Sequence, residues 1–385
     1  MERRNFDVIV LGGGTMGTAA AWALGKRGLH TLVLEQFRHV HEQGSHGGET
    51  RVIRHAYAES PEYVPLVRRA DQLWQELEAT TSQQILVRCG GLELAAPGFA
   101  HAHAARVSAD EHGLSYEWLG PDEVVARWPA FRVPDDWDAL YSPDSGFLLT
   151  VPALRGMANA ARALGATIVE ETPAVGWGAT PDAVWVETPV GRYEASALIV
   201  TAGVWSTRAL ADLDLPIRVL RKTLWWQEVD DLRQFEPERF PVFITDSPAG
   251  EIYGFPVYDV PGLKIANHAG GRVVDPETVD RTTMPEENRD CLELAVRVLP
   301  AVRSRVVKSA VCLYGMTPDT DFIVDRHPEF PQVAIGAGFS GHGFKFAPAI
   351  GELLGDMVVD PRAETIPRLR LSRFELAGIT GSTPA

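Results

Sequence analysis

Asp7-Val8-Ile9-Val10-Leu11 runs directly into Gly12-Gly13-Gly14-Thr15-Met16-Gly17, and this stretch decides the fold. The apolar run ending at a glycine turn reads as a short buried strand. Thr18 to Arg27 is alanine-rich and reads as a helix, with Gly28 suited to its C-terminal end. Thr31-Leu32-Val33-Leu34 follows as a second strand, closed by Glu35. Strand, G-x-G-x-x-G, helix, strand and acid in this order form the dinucleotide-binding βαβ unit. Gly12 permits the tight turn, Gly14 lets the backbone approach a pyrophosphate, and Gly17 lets the helix pack close to the sheet. The helix N-terminus offers free N–H groups and a partial positive charge to phosphates. Glu35 can accept from ribose hydroxyls and disfavours a 2′-phosphate, which makes NADP the poorest candidate. The motif by itself leaves FAD and NAD open.

The whole chain has 385 residues, long enough for two domains of roughly 150 residues each. With 45% hydrophobic and 23% charged residues it has the composition of a globular protein rather than a disordered one. Its formal net charge of −15 disfavours general binding to phosphate backbones, so no nucleic-acid partner is expected. Cys89, Cys291 and Cys312 are too few, and odd in number, for a disulfide framework, which points to a reducing compartment. No stretch approaches the ~20 apolar residues of a membrane span, and none is expected. Met1-Glu2-Arg3-Arg4 precedes an apolar run too short for a signal-peptide core, and Gly381-Ser382-Thr383-Pro384-Ala385 carries no targeting pattern. A cytoplasmic location is the resulting expectation.

Ser60-Pro61 starts a helix expected to reach about Ala79, with Leu66, Ala70, Leu73, Trp74 and Leu77 on one face. Further helices are expected over 151–164, 286–299 and 347–358, and strands over 167–170, 184–188, 197–203 and 333–338. From about Ile217 to Tyr314 the pattern suggests short strands, Pro/Gly turns and paired aromatics such as Trp225-Trp226. The βαβ elements at both ends should join one parallel sheet, while the middle pieces form a second domain, so the two are interleaved. No internal repeat and no low-complexity tract is evident.

Three basic clusters sit in glycine-rich turns between apolar strands: Arg51 with Arg54, Lys264 with His268, and Lys345 with His342. Each alone could be a surface charge, whereas a cleft gathering several would favour an anionic group such as a carboxylate. Lys264 lies among apolar neighbours and therefore needs a partner or a purpose. By residue type alone Cys312, like Cys89 and Cys291, reads as an inert buried thiol. No metal-ligand spacing occurs, so no metal is expected.

The chain resembles the monomeric sarcosine oxidase and N-methyltryptophan oxidase family of flavin amine oxidases. The resemblance is carried by G-G-G-T-M-G at 12–17, G-S-H-G-G-E-T-R-V-I-R-H-A-Y at 44–57, I-Y-G-F-P at 252–256, G-L-K at 262–264, A-V-C-L-Y at 310–314 and G-F-S-G-H-G-F-K-F at 338–346. It implies an α/β architecture: a Rossmann-like FAD-binding domain with a parallel sheet from residues 1–85, 148–217 and 318–380, interleaved with a mixed or antiparallel-sheet substrate domain from 86–147 and 218–317. It implies FAD as cofactor, attached through Cys312. Gly12, Gly14, Thr15, Met16, Gly17, Glu35, Ser45, His46, Arg51, Gly341, Gly343 and Lys345 are the implied cofactor contacts. Lys264 is implied to activate O2, Arg54 and Lys345 to hold the substrate carboxylate, and Tyr253, His268 and Tyr314 to line the amine side, with Arg51 near the flavin ring.

The implied reaction oxidises a secondary amino acid, with FAD reduced and then reoxidised by O2 to hydrogen peroxide, and the imine hydrolysed in water. A cationic pocket would favour the free amine by lowering its pKa. Ile244 stands where the sarcosine-specific members carry methionine, and Val257, Tyr258 and Gly315-Met316-Thr317 also depart from their pattern. N-methyltryptophan, cyclic imino acids and glycated amino acids are therefore alternative substrates. An FAD amino-acid dehydrogenase with another acceptor, or a non-catalytic dinucleotide-binding protein, are the competing functions. The expected partners are a small amino acid and O2, and the expected state is a monomer.

Overall fold

Residues 6–376 are described in the computed structural model. The Met1–Arg4 and Gly381–Ala385 segments lie outside these residues, as does 377–380 at the end of the expected FAD-binding portion.

The first strand, Phe6–Leu11, pairs in parallel with Thr31–Leu34 on one side and Gly191–Val200 on the other. Thr167–Val169 extends the sheet beyond Thr31–Leu34, and Val333–Ala337 pairs in parallel with the end of Gly191–Val200. The first half of Gly191–Val200 pairs instead with an antiparallel hairpin, Gly176–Thr180 and Ala183–Thr188. Strands from both ends of the chain thus share one sheet, as the sequence pattern requires. Both faces are buried: Val8, Val10, Val33 and Ile199 meet the helices Thr15–Lys26, Val64–Thr81, Thr150–Ala163 and Ala347–Val359, while Ile9, Leu11, Leu32 and Leu198 pack on the other side. Burial on two sides explains why these strands read as unbroken apolar runs.

The first helix starts at Thr15, three residues before the expected Thr18, with Gly14 as its extended N-cap (φ −71°, ψ −158°). Gly17 falls inside its first turn, where a Cβ would stand 1.8 Å from the Gly12 carbonyl oxygen. Ser60 does cap the next element, its hydroxyl accepting from Glu62 N, but that element is a single 3₁₀ turn, Pro61–Tyr63, leading into Val64–Thr81. All five residues of the expected stripe are buried.

The second sheet has nine strands. Gly91–Ala95, Val242–Ser247, Gly250–Phe255 and Leu263–Asn267 lie side by side, followed by Arg218–Val229 and Val302–Met316. The last two, at 12 and 15 residues, are long rather than the short strands expected. The sheet buries side chains on both faces, which alternate with the two-residue side-chain period. Leu92, Phe243, Ile265 and Trp225 occupy neighbouring register positions and enter a core with the helix Arg289–Val298. Glu93, Ile244, Tyr253 and Ala266 occupy the intervening positions and face the other way. Phe255, Lys264, Trp226, Lys222 and Cys312 continue that second face. The glycine-rich segment expected to be a loop contains a strand, Thr50–Ile53, which pairs with Gly146–Leu149.

Candidate active site

A cavity of about 410 Å³ runs along the ends of the first sheet's strands. Gly12, Gly14, Thr15, Met16, Glu35, Ser45, His46, Arg51, Gly341 and Gly343 all line it. Gly17 does not; its part is to let the helix approach Gly12. Among the glycines of the loop, a Cβ on Gly14 would meet nothing within 4 Å, which leaves open space beside an uncapped helix N-terminus. Glu35 accepts from Gly13 N at 2.9 Å and Phe37 N at 2.9 Å, so its carboxylate is fixed at the cavity edge. His46 presents a buried Nε2 with no hydrogen-bond partner, and burial, then His41 and Arg51, lower its pKa to about 3. Open backbone N–H groups for a pyrophosphate, an oriented acid for a ribose and an unmatched buried nitrogen fit a bound dinucleotide.

The strap formed by residues 274–284 crosses from the second sheet to this cavity. Glu277, which lines it, accepts from Trp205 Nε1 at 2.8 Å and Arg208 Nη1 at 2.9 Å, while Asp275 takes Arg208 Nη2 at 2.8 Å with both oxygens. Further along, Arg281 donates to the Glu42 and Gln43 carbonyls. These contacts were not legible beforehand, because Trp205, Arg208 and Glu277 lie in unrelated stretches of sequence.

A second chamber, about 80 Å³, adjoins the first and shares Arg51, Tyr314, Gly341 and Phe344 with it. Arg54, Lys345, Tyr253, Tyr314 and His268 line the chamber, which brings together five of the expected substrate-side residues. The Tyr253 and Tyr314 hydroxyls are 3.4 Å apart, and burial raises the pKa of both. Burial also pushes His268 down to about 3. Lys345 Nζ donates to the His342 carbonyl at 2.9 Å, and burial, with Arg54 next, lowers its pKa to about 7. Its backbone is held by Trp74 Nε1, which donates to the Lys345 carbonyl at 2.9 Å.

The charge of this chamber differs from the cationic pocket expected. Arg54 Nη2 donates to both oxygens of Glu59 at 2.8 Å, and Nη1 stands 3.5 Å from Glu93. Both acids line the chamber. Although burial opposes it, Glu59 and then Glu93 hold the Arg54 pKa above its ordinary value; burial opposes ionisation of Glu59 too, but Arg54 keeps it ionised. Glu59 and Glu93 escaped the sequence reading because a glutamate in a loop or an alternating strand looks like a solvent-facing position.

Cys312 and Lys264 stand behind the walls of these cavities and line neither. Cys312 Sγ is 3.4 Å from Arg51 Nη2 and donates to the Ser45 carbonyl at 3.3 Å. Lys264 Nζ donates to the carbonyls of Gly48 at 2.5 Å and Thr50 at 2.9 Å, and to the Thr50 hydroxyl at 2.9 Å. The same Thr50 carbonyl accepts from Arg51 Nη1 at 2.7 Å, so Lys264, Arg51 and Cys312 form one connected network. Burial, with Arg51 second, pushes the Lys264 amine well below its ordinary pKa, while the three oxygen acceptors match its three protons.

A family model described as FAD dependent oxidoreductase matches residues 7–357, and the chain belongs to that family. Within it, the chain is 38% identical over 365 residues to monomeric sarcosine oxidase from Bacillus sp. (strain B-0618), covering 94% of each protein. It is 36% identical over 374 residues to N-methyl-L-tryptophan oxidase from Salmonella arizonae, covering 96% of this chain and 99% of the relative. The solved structure of L-proline dehydrogenase from P. horikoshii has the same fold, with a TM-score of 0.82 at 22% identity, over 97% of this chain and 98% of that one. The protein is an FAD-dependent oxidoreductase, and no helix among the described residues is long and apolar enough to cross a membrane.

Proposed function

We propose that the protein oxidises a small secondary amino acid at its C–N bond and passes the electrons to O2, acting as a monomer. The observation that carries this reading is the shared wall: a chamber holding Arg54 and Lys345 opens on Arg51, Tyr314, Gly341 and Phe344, which also line the cofactor cavity. FAD, when bound, takes two electrons from the amine and delivers them to O2, yielding hydrogen peroxide. Of the described residues, 6–85, 148–217 and 318–376 hold the cofactor, and 86–147 and 218–317 shape the chamber. Thr15 and Met16 at the helix N-terminus receive the pyrophosphate, and Glu35 receives a ribose. Lys345, together with Arg54, captures the carboxylate, since an ammonium and a planar guanidinium both suit that group. Tyr253, Tyr314 and His268, all neutral, surround the amine and exclude water. Cys312 carries the flavin covalently, beside Arg51, and Lys264, whose three oxygen acceptors favour its ammonium form against the burial that lowers its pKa, supplies positive charge for the oxygen step.

The relatives named for sarcosine and for N-methyl-L-tryptophan support an N-methyl amino acid as substrate. The small chamber favours the smaller of these. The test is addition of sarcosine to the purified flavoprotein, first without and then with oxygen. Bleaching of the flavin followed by stoichiometric peroxide is expected. Bleaching without peroxide would replace the oxidase with a dehydrogenase, and no bleaching by any secondary amine would remove the reading.

A further inference from the structure

The strand Arg218–Val229 carries a buried cation that neither the carboxylate capture nor the oxygen step uses. Lys222 stands opposite Cys312 in the pairing with Val302–Met316, is only 4% exposed and lines neither cavity. Its ammonium donates to three successive carbonyls, those of His268 at 2.9 Å, Ala269 at 2.7 Å and Gly270 at 2.9 Å. Three donors thus meet three acceptors, which is how a buried ammonium is tolerated. Burial lowers its pKa to about 8, so the ammonium is present at neutral pH.

Bringing three carbonyls to one point requires the chain to curl as it leaves the strand Leu263–Asn267. Gly270 (φ +69°) and Gly271 (φ +121°) supply the positive φ values, and a Cβ on Gly271 would stand 3.1 Å from Lys222 Cδ. The curl begins at His268, which lines the chamber. His268 N donates to the Glu251 carbonyl at 2.9 Å and its own carbonyl accepts from Lys222, so the backbone of this residue is fixed at both ends. Ala269 and Gly270 are exposed, which leaves the ammonium rather than core packing to hold the curl. The same ammonium lies 5.5 Å from the centre of the Tyr314 ring, another wall of the chamber.

We propose that Lys222 is a positioning residue: by fixing the backbone at His268 it sets where that ring stands on the amine side of the chamber, and so the pose in which the amine meets the cofactor. This rests on the amine-oxidase reading above and adds a residue to it. The test compares wild type, Lys222→Met, His268→Ala and the double variant as purified flavoproteins, following anaerobic bleaching by sarcosine. Each single variant is expected to slow bleaching about tenfold, the scale of a small misplacement, and the double variant to be no slower than His268→Ala alone. Acetate, which has the carboxylate but no amine, is expected to keep its wild-type affinity in Lys222→Met, because Arg54 and Lys345 are untouched. Bleaching of Lys222→Met at the wild-type rate would overturn this inference alone, as would effects that multiply to about a hundredfold in the double variant. Equal weakening of acetate and sarcosine binding would reduce Lys222 to a general support of the sheet and also overturn it. Should Lys222→Met fail to fold, Lys222→Gln, which keeps a donor for the carbonyls, runs the same cycle with a smaller slowing. Wild-type protein that no secondary amine bleaches would remove the parent reading, and this inference with it.

Discussion

Lys345 is a residue of the chamber whose charge changes near neutrality. Burial lowers its pKa to about 7, so the ammonium is present below that pH and is lost above it. Arg54 stays charged throughout, held by Glu59 and Glu93. Affinity for a simple carboxylate such as acetate should therefore weaken severalfold as the pH rises through 7, as read from flavin absorbance between about pH 5 and about pH 9. In Lys345→Met that step should vanish, and its persistence would assign the titration elsewhere. At Cys312 the expected outcome is chemical: wild-type protein precipitated with acid keeps its yellow colour, and Cys312→Ser releases it to the supernatant. A colourless wild-type pellet would remove the covalent link. The basic residues of both cavities could be picked out in the sequence because charges among glycines and apolar strands stand out. The acids could not, since Glu93 in Gly91-Leu92-Glu93-Leu94-Ala95 has the alternation of a strand with one wet face.

The glycine loop and its helix make a separable pair of predictions at the scale of the element. A Cβ at Gly17 would meet the Gly12 carbonyl at 1.8 Å, a backbone atom that cannot move aside without breaking the turn. Gly17→Ala should destabilise the protein by about 3 kcal/mol and abolish flavin binding, as measured by thermal unfolding and by bound flavin. Gly14→Ala should lower apoprotein stability by only about 0.5–1 kcal/mol, the N-cap preference for Gly over Ala, yet still weaken flavin binding, because its Cβ enters the cavity. Equal loss of stability in the two would contradict the assignment. This unit was readable because its turn chemistry and periodicity are local. The two long strands, Arg218–Val229 and Val302–Met316, were not. Their polar and apolar residues are ordered by pairing with each other along nearly their whole length, a non-local constraint.

For the whole molecule, the telling feature is that widely separated segments meet around one cofactor cavity. The parallel sheet could be anticipated from apolar strands near both ends, but the strap of 274–284 could not, because its partners are fixed only by the tertiary fold. Arg208 anchors it through Asp275 and Glu277, with about half of each side chain exposed. Exposed pairs contribute little to stability individually. Arg208→Ala should thus leave the melting temperature nearly unchanged but speed the uptake of FAD by apoprotein, followed as quenching of flavin fluorescence. Unchanged uptake would mean that the strap does not govern access. The second sheet has a different lesson for the molecule as a whole. Leu92 and Phe243 enter its core from positions adjacent to Glu93 and Ile244, which line the chamber. Selectivity and robustness are thus written on opposite sides of the same ribbons. A combinatorial library restricted to Ile244 would vary the chamber wall while the packed core on the other side stays in place, making this enzyme a starting point for directed evolution.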